Sequence, residues 1–485
     1  MRRPKLHEVL RPRIHFAPQR NWMNDPNGLV FHNGRYHLFF QHNPDGDQHR
    51  NMSWGHASSS DLAHWLEHPV AIRYTDDEEI FSGSVVVDEA NSSGFGGAQH
   101  PPLVAIYTSA HRGKGRQAQS LAYSTDGGMT WTRYAGNPVL DRGSSDFRDP
   151  KVFRYTGSGG SYWVMVAVEA ADHQVLLYRS DDLKRWTYLS SYGPAGAVGG
   201  VWECPDLFPL NLDGDAEERR WVLLISLNPG GVAGGSGTQY VIGQFDGVEF
   251  IPDSLPEAVT DLEHLAQLSW LDWGRDCYAG VTFNGLPDHE RTLIAWMGNW
   301  EYAHATPTAP WRGVMTTARQ LALRQIGGQP RLCIDPILPP GRITAEVAPR
   351  TLLRGETLTA PLPATARIDI DLVTPHAVEV ELVGTSGSAT LIFDGANGQL
   401  SLDRRNTHAI DHPGYPSVET APSPTGEATL RATIVLDSGS VEVFADEGAR
   451  GLTDLVFLGQ DCTLTLHTTG EFVAIEQLRI TDLTA

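Results

Sequence analysis

The sequence predicts an all-β protein in which a five-bladed β-propeller is followed by a C-terminal β-sandwich. Three observations predict this fold class: short apolar runs bounded by turn residues, a strand pattern that repeats along the first two thirds of the chain, and a change to alternating segments after Arg331. Long stretches with helical periodicity do not occur in the sequence.

Short apolar or alternating runs are the first observation. Turn residues bound each run, and β-branched and aromatic residues fill it, as is typical of strands. The chain has 49 glycines and 31 prolines to supply such boundaries. The clearest runs are "YHLFFQ" from Tyr36, "LVAIYTS" from Leu103, "YWVMVAV" from Tyr162, "WVLLISL" from Trp221 and "RTLIAWM" from Arg291.

The repeat is the second observation. The stretches that begin at Asp25, Asp149 and Cys204 share one plan: a proline, an apolar pair ending in Phe, a polar turn and an aromatic-led strand. A second marker follows downstream, an Asp with an aromatic residue four or five positions later. Its examples are Asp61 to Trp65, Asp126 to Trp131, Asp182 to Trp186 and Asp246 to Phe250.

The period of this repeat indicates radial blades. A period of roughly 55 to 70 residues, with about four strands per unit, is typical of a propeller. The alternative is an irregular sandwich with chance similarities. The unit starts, which predict five blades, lie near Asp25, Ser82, Asp149, Glu203 and Asp272.

The C-terminal part has a different texture, which is the third observation. The segment "CIDPILPPGRITAEVAPR" is proline-rich and resembles a linker, and segments such as "ARIDIDLV" and "AVEVELVG" then alternate with period two. One polar face per strand predicts a β-sandwich of about 140 residues. The predicted division is a propeller at 1–335, a linker at 336–350 and a sandwich at 351–485.

The net charge limits the possible partners. Acidic residues number 58 and basic residues 37, which gives a formal net charge of −21. Such a surface repels phosphate backbones and anionic lipids, so we expect neither nucleic acid nor a membrane as partner. A neutral or cationic substrate fits better, and no apolar run of about 18 residues predicts a transmembrane helix.

The cysteines and the N-terminal residues indicate the compartment. The four cysteines lie far apart, without CxxC or metal-type spacing, so we expect free thiols and no structural zinc. The first residues carry charges but no apolar core of a signal peptide. We therefore expect a cytoplasmic protein, although a trimmed N-terminus would leave secretion open.

Three acidic residues occupy related places in the repeat. Asp25 and Asp149 precede the proline of the first and third units, and Glu203 lies one position before the equivalent residue of the fourth, Cys204. Inner strands of a propeller begin at one end of the channel, so these carboxylates are expected to converge. Like charges raise one another's pKa, a cost that indicates a function. The alternative is that each Asp-Pro only caps a strand.

Two converging carboxylates are what glycoside hydrolysis requires, one as nucleophile or base and the other as acid. Trp202 and Cys204 flank Glu203, an apolar setting that suits a proton donor. Asp25 lies in "NDPNG" at 24–28, which predicts a tight turn. The turn amides and Asn24 are expected to keep Asp25 ionised, as a nucleophile must be.

Four motifs, "WMNDPNG", "FSGS", "RDPK" and "WECPDLF", resemble in their order and spacing the β-fructosidases of glycoside hydrolase family 32. The resemblance runs from His15 to the C-terminus. Segments such as "AQSLAYSTDGGMTWTRYAGNPVL" and "MGNWEYAHATPTAPWRG" look more like exo-acting levanases and inulinases than like sucrose-specific enzymes. The resemblance implies a five-bladed propeller followed by a β-sandwich.

The resemblance also implies roles for residues. Asp25 would be the nucleophile that forms a covalent fructosyl-enzyme, Glu203 the acid/base, and Asp149 a partner of the fructosyl hydroxyls. Configuration would be retained, with the Asp25 and Glu203 carboxyls about 5–5.5 Å apart. The implied fructosyl subsite consists of Asn24, Gln41, Phe81, Ser82, Arg148 and Trp300.

The expected partner is a fructose-containing oligo- or polysaccharide or sucrose, and no metal ion or organic cofactor is implied. A monomer or a homodimer is expected. Two positions depart from the family pattern: His49 stands where members usually carry Trp, and Cys277 where an aromatic residue is common. A smaller, titratable imidazole would change the shape of the subsite. The expected cytoplasmic location favours sucrose or short fructo-oligosaccharides over polymeric levan.

Two other functions stay open at this stage. A fructosyltransferase would use a sugar hydroxyl in place of water in the second step, and the acceptor site of such an enzyme depends on loop shape. A non-catalytic fructan-binding propeller is a reading from another class. The presence of all three acids argues against the second alternative.

Overall fold

The computed structural model describes residues 6–97, 100–113, 115–157 and 159–484, apart from the side chains of Leu6 and His7. Its secondary structure is almost entirely β, as predicted. Within the described residues, no helix has the length and apolar character needed to cross a membrane. The helices are α1 (Leu6–Val9), α2 (Leu262–Leu265) and two 3-10 turns at Asp288–Glu290 and Ala303–Ala305.

Five successive sheets occupy residues 21 to 336. The first contains β1 (Asn21–His32), β2 (Arg35–Asn43), β3 (Ser53–Ser59) and β4 (Trp65–Ile72). The second contains β5 (Glu78–Val87), β6 (Leu103–His111), β7 (Arg116–Ser124) and β8 (Thr132–Arg133). The third contains β9 (Phe147–Gly157), β10 (Gly160–Glu169), β11 (Gln174–Ser180) and β12 (Thr187–Tyr192).

The fourth and fifth sheets follow the same plan with short additions. After β13 (Gly196–Ala197), the fourth contains β14 (Val201–Asn211), β15 (Arg219–Asn228), β16 (Gly237–Phe245) and β17 (Phe250–Pro252), and β18 (Ala258–Val259) pairs with β13. The fifth begins with β19 (Tyr278–Thr282) and β20 (Thr292–Met297). The chain then pairs with β1 through β21 (Trp311–Arg312) and completes the fifth sheet with β22 (Val314–Met315), β23 (Arg319–Ile326) and β24 (Gln329–Pro336).

The first strands of the five sheets form a closed series. In the order β1, β5, β9, β14 and β19, each contacts the next, and β19 contacts β1. Sheets arranged around an axis in this way make a β-propeller. The fifth inner strand starts at Tyr278, whereas the sequence places the unit start near Asp272. Asp272 is buried and accepts a hydrogen bond from Arg319 instead, with Oδ2 2.9 Å from Nη1.

The Asp–aromatic marker of the repeat forms a turn. In the first sheet, Asp61 Oδ1 accepts hydrogen bonds from the backbone of Ala63 at 3.0 Å and of His64 at 2.8 Å. The indole of Trp65 donates to the carbonyl of Leu62 at 3.1 Å. Because Trp131 and Trp186 make the same indole-to-carbonyl bond in the next two sheets, the marker is structural rather than catalytic.

Two antiparallel sheets form the C-terminal β-sandwich. One contains β25 (Arg342–Val347), β26 (Arg350–Leu353), β28 (Thr365–Val373), β33 (Thr429–Asp437), β34 (Ser440–Ala445), β35 (Arg450–Leu455) and β37 (Phe472–Asp482). The other contains β27 (Thr357–Pro361), β29 (Ala377–Gly384), β30 (Gly387–Asp394), β31 (Gln399–Asp403), β32 (Val418–Ala421) and β36 (Thr463–Thr468). β25 lies within the segment 336–350 and pairs with β37.

The alternation of apolar and polar residues along the sandwich strands determines which side chains form the core of the sandwich. In β28, Ile368, Ile370 and Leu372 are buried, whereas Asp369 and Asp371 between them are partly exposed. Because successive side chains of a strand point to opposite faces, this pattern directs one apolar face into the sandwich.

Buried ion pairs join the N-terminal segment, the propeller and the sandwich. His15 Nδ1 lies 2.8 Å from Asp437 Oδ2, and its Nε2 lies 2.7 Å from Glu442 Oε2. Arg319 of β23 pairs with the other oxygen of Glu442, with Nη2 2.8 Å from Oε1. All four side chains are fully or almost fully buried, so the charges depend on one another for compensation.

Candidate active site

Each of the five inner strands carries a register shift near its start. Such β-bulges re-aim side chains and occur often beside active sites. The residues in the bulges are Asn24 and Asp25 in β1, Ser82 in β5, Asp149 and Pro150 in β9, Cys204 and Pro205 in β14, and Ala279 and Gly280 in β19. The repeat thus places the acidic side chains of three sheets at one end of the channel.

The stretch 24–28, which the sequence predicts to be a turn, belongs to the continuous strand β1. Pairing with β2 persists on both sides, and register shifts at Met23/Pro26 and Asn27/Val30 absorb the turn-forming residues. Gly28 has a φ of 53°, and a Cβ there would lie 2.8 Å from the ring of Phe39. The motif therefore makes a bulged strand because β2 supplies ladder partners that an isolated turn lacks.

Asp25 and Asp149 meet at the thiol of Cys204. The sulfur lies 3.7 Å from Asp25 Oδ2 and 3.8 Å from Asp149 Oδ2. The backbone N–H of Cys204 donates to Asp149 Oδ2 at 3.0 Å, and Ser82 Oγ donates to Asp25 Oδ2 at 2.9 Å. Asp149 and Cys204 have φ values of 62° and 46°, left-handed backbone that non-glycine residues adopt rarely and often at functional sites.

Burial raises the pKa of both aspartates. For Asp25, burial and the charge of Glu203 outweigh hydrogen bonds from Asn24 and Ser82 and raise the pKa to about 6. For Asp149, burial and Glu203 outweigh the cation of Arg148 and raise the pKa to about 7. The expectation that Asp25 is held ionised therefore applies only above about pH 6.

Glu203 has polar partners rather than the expected apolar surroundings. Arg148 Nε donates to Oε1 at 3.2 Å, and the hydroxyl of Tyr278 donates to Oε2. Its side chain is 24% exposed. Of the two flanking residues, Trp202 lies away from the site, buried and donating to Ala197 O at 2.8 Å, whereas the bulged Cys204 directs its thiol to the aspartates. Tyr278 is not among the site residues predicted from the sequence.

The remaining residues of the predicted subsite surround this cluster. Asn24 Oδ1 accepts a hydrogen bond from the indole of Trp22 at 2.7 Å. Gln41 lies on β2 opposite the Asn24–Asp25 bulge, and its Nε2 donates to the carbonyl of Ile80 at 3.0 Å. Phe81 is partly exposed, follows Ile80 directly and precedes the bulged Ser82. The structure thus brings these side chains to the same end of the inner strands.

An aromatic wall stands beside the acids. We use this name for Trp22, His49, Trp300 and His304. The rings of Trp22 and Trp300 are stacked with centroids 6.0 Å apart, and His49 meets Trp300 edge-on at 5.0 Å. His304 stacks on Trp22 at 4.6 Å. His49 therefore occupies a place in the wall, as the departure from the family pattern predicts, and it is exposed.

The described residues contain no group of three or more His, Cys, Asp or Glu side chains that could hold a metal ion. All four cysteines are free and buried. The residues gathered here support carboxylate chemistry: Asp149 is buried, Asp25 is partly exposed, and Glu203 is held by Arg148 and Tyr278.

The chain is similar to known proteins over both of its domains. The N-terminal domain of glycosyl hydrolases family 32 matches residues 15–336, and the C-terminal domain of the same family matches residues 348–482. The chain is 39% identical to a levanase of Bacillus subtilis (strain 168), over 93% of this chain and 66% of that protein. It is 41% identical to an extracellular exo-inulinase of Aspergillus awamori, over 93% of this chain and 90% of the relative.

Solved structures show the same similarity over both domains. The crystal structure of the Aspergillus awamori exo-inulinase superimposes with a TM-score of 0.90 and 38% identity, covering 97% of each chain. A β-fructofuranosidase of Schwanniomyces occidentalis in complex with fructosyl-erythritol superimposes with a TM-score of 0.88 and 30% identity, covering 98% of each chain. The two-domain β fold is thus shared with these proteins over nearly the whole chain.

Proposed function

The chain belongs to glycosyl hydrolases family 32 and is a glycoside hydrolase, and we propose that it releases fructose from the non-reducing ends of β-fructosides with retention of configuration. One observation carries the proposal: three bulged inner strands place Asp25, Asp149 and Glu203 around one point, with Arg148 and Tyr278 holding Glu203. Paired carboxylates of this kind perform double displacement at a glycosidic carbon.

We assign the nucleophile to Asp25. Its Oδ1 is buried, and its Oδ2 accepts a hydrogen bond from Ser82 and lies near Asp149 across the sulfur of Cys204. With its pKa raised to about 6, it is ionised at neutral pH and strongly basic for a carboxylate, which favours attack on the anomeric carbon. The product of this step is a covalent fructosyl-enzyme.

We assign the acid/base to Glu203. Its side chain is 24% exposed, so it can exchange protons with a leaving group and then with water. Retention requires that the carboxyls of Glu203 and Asp25 lie about 5–5.5 Å apart around the scissile bond. Asp149, whose Oδ2 accepts the backbone N–H of Cys204, is proposed to accept hydrogen bonds from fructosyl hydroxyls.

The fructosyl subsite is proposed to be lined by polar groups near the bulges and by the aromatic wall. An apolar ring face and a few directed polar groups are the usual composition of a sugar site. The residues proposed to contact the fructosyl unit are Asn24, Gln41, Phe81, Ser82, Arg148 and Trp300.

Fructans, fructo-oligosaccharides and sucrose are the proposed substrates. Relatives of the chain are named levanase and exo-inulinase, and a structural neighbour is a β-fructofuranosidase. The chain spans 66% of the length of the Bacillus levanase and 90% of that of the exo-inulinase, so the substrate range is a proposal for this chain rather than a transfer from either.

We further propose that each of the five sheets is one blade of a five-bladed propeller. The cyclic contacts of the inner strands and the return of β21 to β1 support this count. We propose that the sandwich begins with β25, which shortens the connection between the domains to residues 337–341.

Product analysis tests the proposed activity. Purified protein is incubated with sucrose, 1-kestose, inulin and levan, with Asp25→Asn as the inactive control. The expected result is free fructose as the first product from at least the short substrates, and none from the variant. Oligosaccharides with little free fructose at high sucrose would show transfer instead, and binding of fructosides without any product would show a non-catalytic protein.

A further inference from the structure

The loop that carries Trp300 rests on the sandwich domain. Trp300 is partly exposed in the aromatic wall, and its backbone N–H donates to Ser236 Oγ at 3.1 Å. Two residues later, the chain turns inward and Tyr302 is only 1% exposed. The face of the loop opposite the substrate therefore packs against the interior of the molecule.

Arg404 of the sandwich reaches across the domain interface to this tyrosine. It follows β31 and is completely buried. Its Nη2 donates to the hydroxyl of Tyr302 at 2.7 Å, and its Nη1 lies 2.5 Å from Asp276 Oδ2. The hydroxyl of Tyr302 donates in turn to Asp276 Oδ1 at 2.7 Å. Arginine, tyrosine and aspartate thus form a closed triangle with one corner in the sandwich and one in the loop.

The triangle is buried among further acids. Asp454 Oδ1 lies 3.4 Å from Arg404 Nη1, and Glu419 is 2% exposed nearby, so the guanidinium faces Asp276, Asp454 and Glu419. A buried carboxylate that loses its cation remains uncompensated, which is strongly destabilising. Removal of Arg404 would therefore displace Asp276 or Tyr302 rather than leave the geometry unchanged.

A second path joins the same acids to the loop. The backbone N–H of Arg275 donates to Asp454 Oδ1 at 3.0 Å, and the carbonyl of Arg275 accepts from Asn299 Nδ2 at 2.8 Å. Asn299 Oδ1 accepts from the backbone N–H of Glu301 at 3.1 Å. Trp300 lies between these two residues, so the backbone on both of its sides is tied to the interface.

We propose that Arg404 is a positioning residue through which the sandwich domain holds the Trp300 side of the aromatic wall in place for the sugar rings of the substrate. The sandwich is then part of the substrate site rather than only a supporting domain. The inference rests on the proposed function, because Trp300 is taken to contact substrate. It predicts that a change in the sandwich alters substrate binding without removing any catalytic group.

A matched control separates this role from general stabilisation. Arg450 is also a buried arginine of the sandwich, 2% exposed, with Nη1 2.7 Å from the carbonyl of Gly398 and Nε 2.5 Å from Asp446 Oδ2. Its described partners include no residue of the Trp300 loop. Replacing Arg450 should therefore lower stability without affecting the wall.

The full-length variants Arg404→Met and Arg450→Met are compared with wild type. Melting temperature, kcat and KM on sucrose and 1-kestose, and the Kd for fructose by calorimetry are measured. The expected result is a KM and a Kd raised about tenfold in Arg404→Met, with kcat within threefold, and an unchanged KM in Arg450→Met at a comparable loss of melting temperature. Because the wall contacts sugar, the effect should disappear in a Trp300→Ala background.

Tyr302→Phe keeps the experiment decisive if Arg404→Met does not fold, since it removes only the hydroxyl that links Arg404 to the loop. An unchanged KM and Kd in both Arg404→Met and Tyr302→Phe, or effects that simply add to those of Trp300→Ala, would overturn the proposal. Wild type that binds fructose but releases none from any substrate would refute the proposed function alone, and the Kd values would still report the coupling.

Discussion

Arg148 donates a hydrogen bond from Nε to Oε1 of Glu203 at 3.2 Å, while the same nitrogen lies 3.9 Å from Oδ2 of Asp149. One guanidinium therefore neutralises two of the three acids. Burial opposes the charge on Arg148, but Glu203 and Asp149 outweigh it and raise the pKa of the arginine. The cation is thus permanent, and it contacts both Glu203, the proposed acid/base, and Asp149, the carboxylate proposed to bind the sugar hydroxyls.

Arg148→Lys should lower kcat/KM on sucrose about tenfold to a hundredfold. The lysine ammonium keeps the positive charge but lacks the planar guanidinium that faces both Glu203 and Asp149. The lost hydrogen bond to a charged group contributes about 1.5–3 kcal/mol, which accounts for the expected decrease. Arg154→Lys is the control, because Arg154 lies on the same strand away from the acids and donates a hydrogen bond to Ser161 of β10. Equal kinetics in the two variants would contradict the role of Arg148.

Tyr278→Phe should lower kcat about tenfold or more with little change in KM. The hydroxyl of Tyr278 donates to Glu203 Oε2, and loss of this bond frees the group that must exchange its proton in the transition state. Tyr107→Phe is a matched control, since Tyr107 is fully buried in the second sheet on β6, which is not an inner strand. A kcat loss in the control as large as that in Tyr278→Phe would assign the effect to packing.

The position of Tyr278 shows what the sequence could and could not predict. Arg148, Glu203 and Tyr278 each stand directly before the bulge of their strand, so the repeat contains all three. The Cys-Pro of the fourth strand pointed to Glu203 in the repeat, and the family resemblance named Arg148 beside the Asp-Pro of the third. In the fifth strand the bulge is Ala279–Gly280, without a proline, and the unit start was placed six residues too early, near Asp272.

Proline, glycine and alternation predicted the propeller and the sandwich because these signals are local. The buried triangle of Arg404, Tyr302 and Asp276 joins residues more than a hundred positions apart, and no local pattern marks such a contact. The cytoplasmic location and the oligomeric state stay predictions, because neither depends on the fold of one chain.

Ser82→Ala should move the acid limb of the kcat/KM profile to higher pH. The wild-type limb is expected near pH 6, because the pKa of Asp25 is raised to about 6 and the ionised form attacks. The hydroxyl of Ser82 donates to the carboxylate at 2.9 Å and favours its charged form, so its removal should raise the limb by about one pH unit. Ser109→Ala, which removes a hydroxyl bonded to Ser120, should leave the limb in place. A downward shift in Ser82→Ala would exclude Asp25 as the group that titrates.

His15→Gln should abolish a loss of stability that wild type shows at alkaline pH. Burial opposes protonation of His15, but hydrogen bonds to Asp437 and Glu442 outweigh it and raise the pKa to about 9. Because the folded pKa exceeds the unfolded value of 6.5, the stabilisation is complete below about pH 6.5 and is lost as the pH rises through 9. Melting temperatures between pH 6 and pH 10 test this, with His289→Gln, an exposed histidine, as control. A flat wild-type curve over this range would contradict the paired imidazolium.

His37→Gln should reduce the loss of stability at acid pH. His37 stacks on His56 with ring centroids 5.3 Å apart, and Nδ1 of His37 lies 3.0 Å from Nε2 of His56. Burial, together with nearby cationic groups, lowers the pKa of His37 to about 4. Since this is below the unfolded value of 6.5, the neutral stack contributes stability above about pH 6.5, and that contribution is lost as the pH falls through 4. An uncharged amide at position 37 removes one titration, so the melting temperature should fall less between pH 7 and pH 4 than in wild type or in His289→Gln. An identical fall in all three proteins would show that His37 does not contribute to the acid sensitivity.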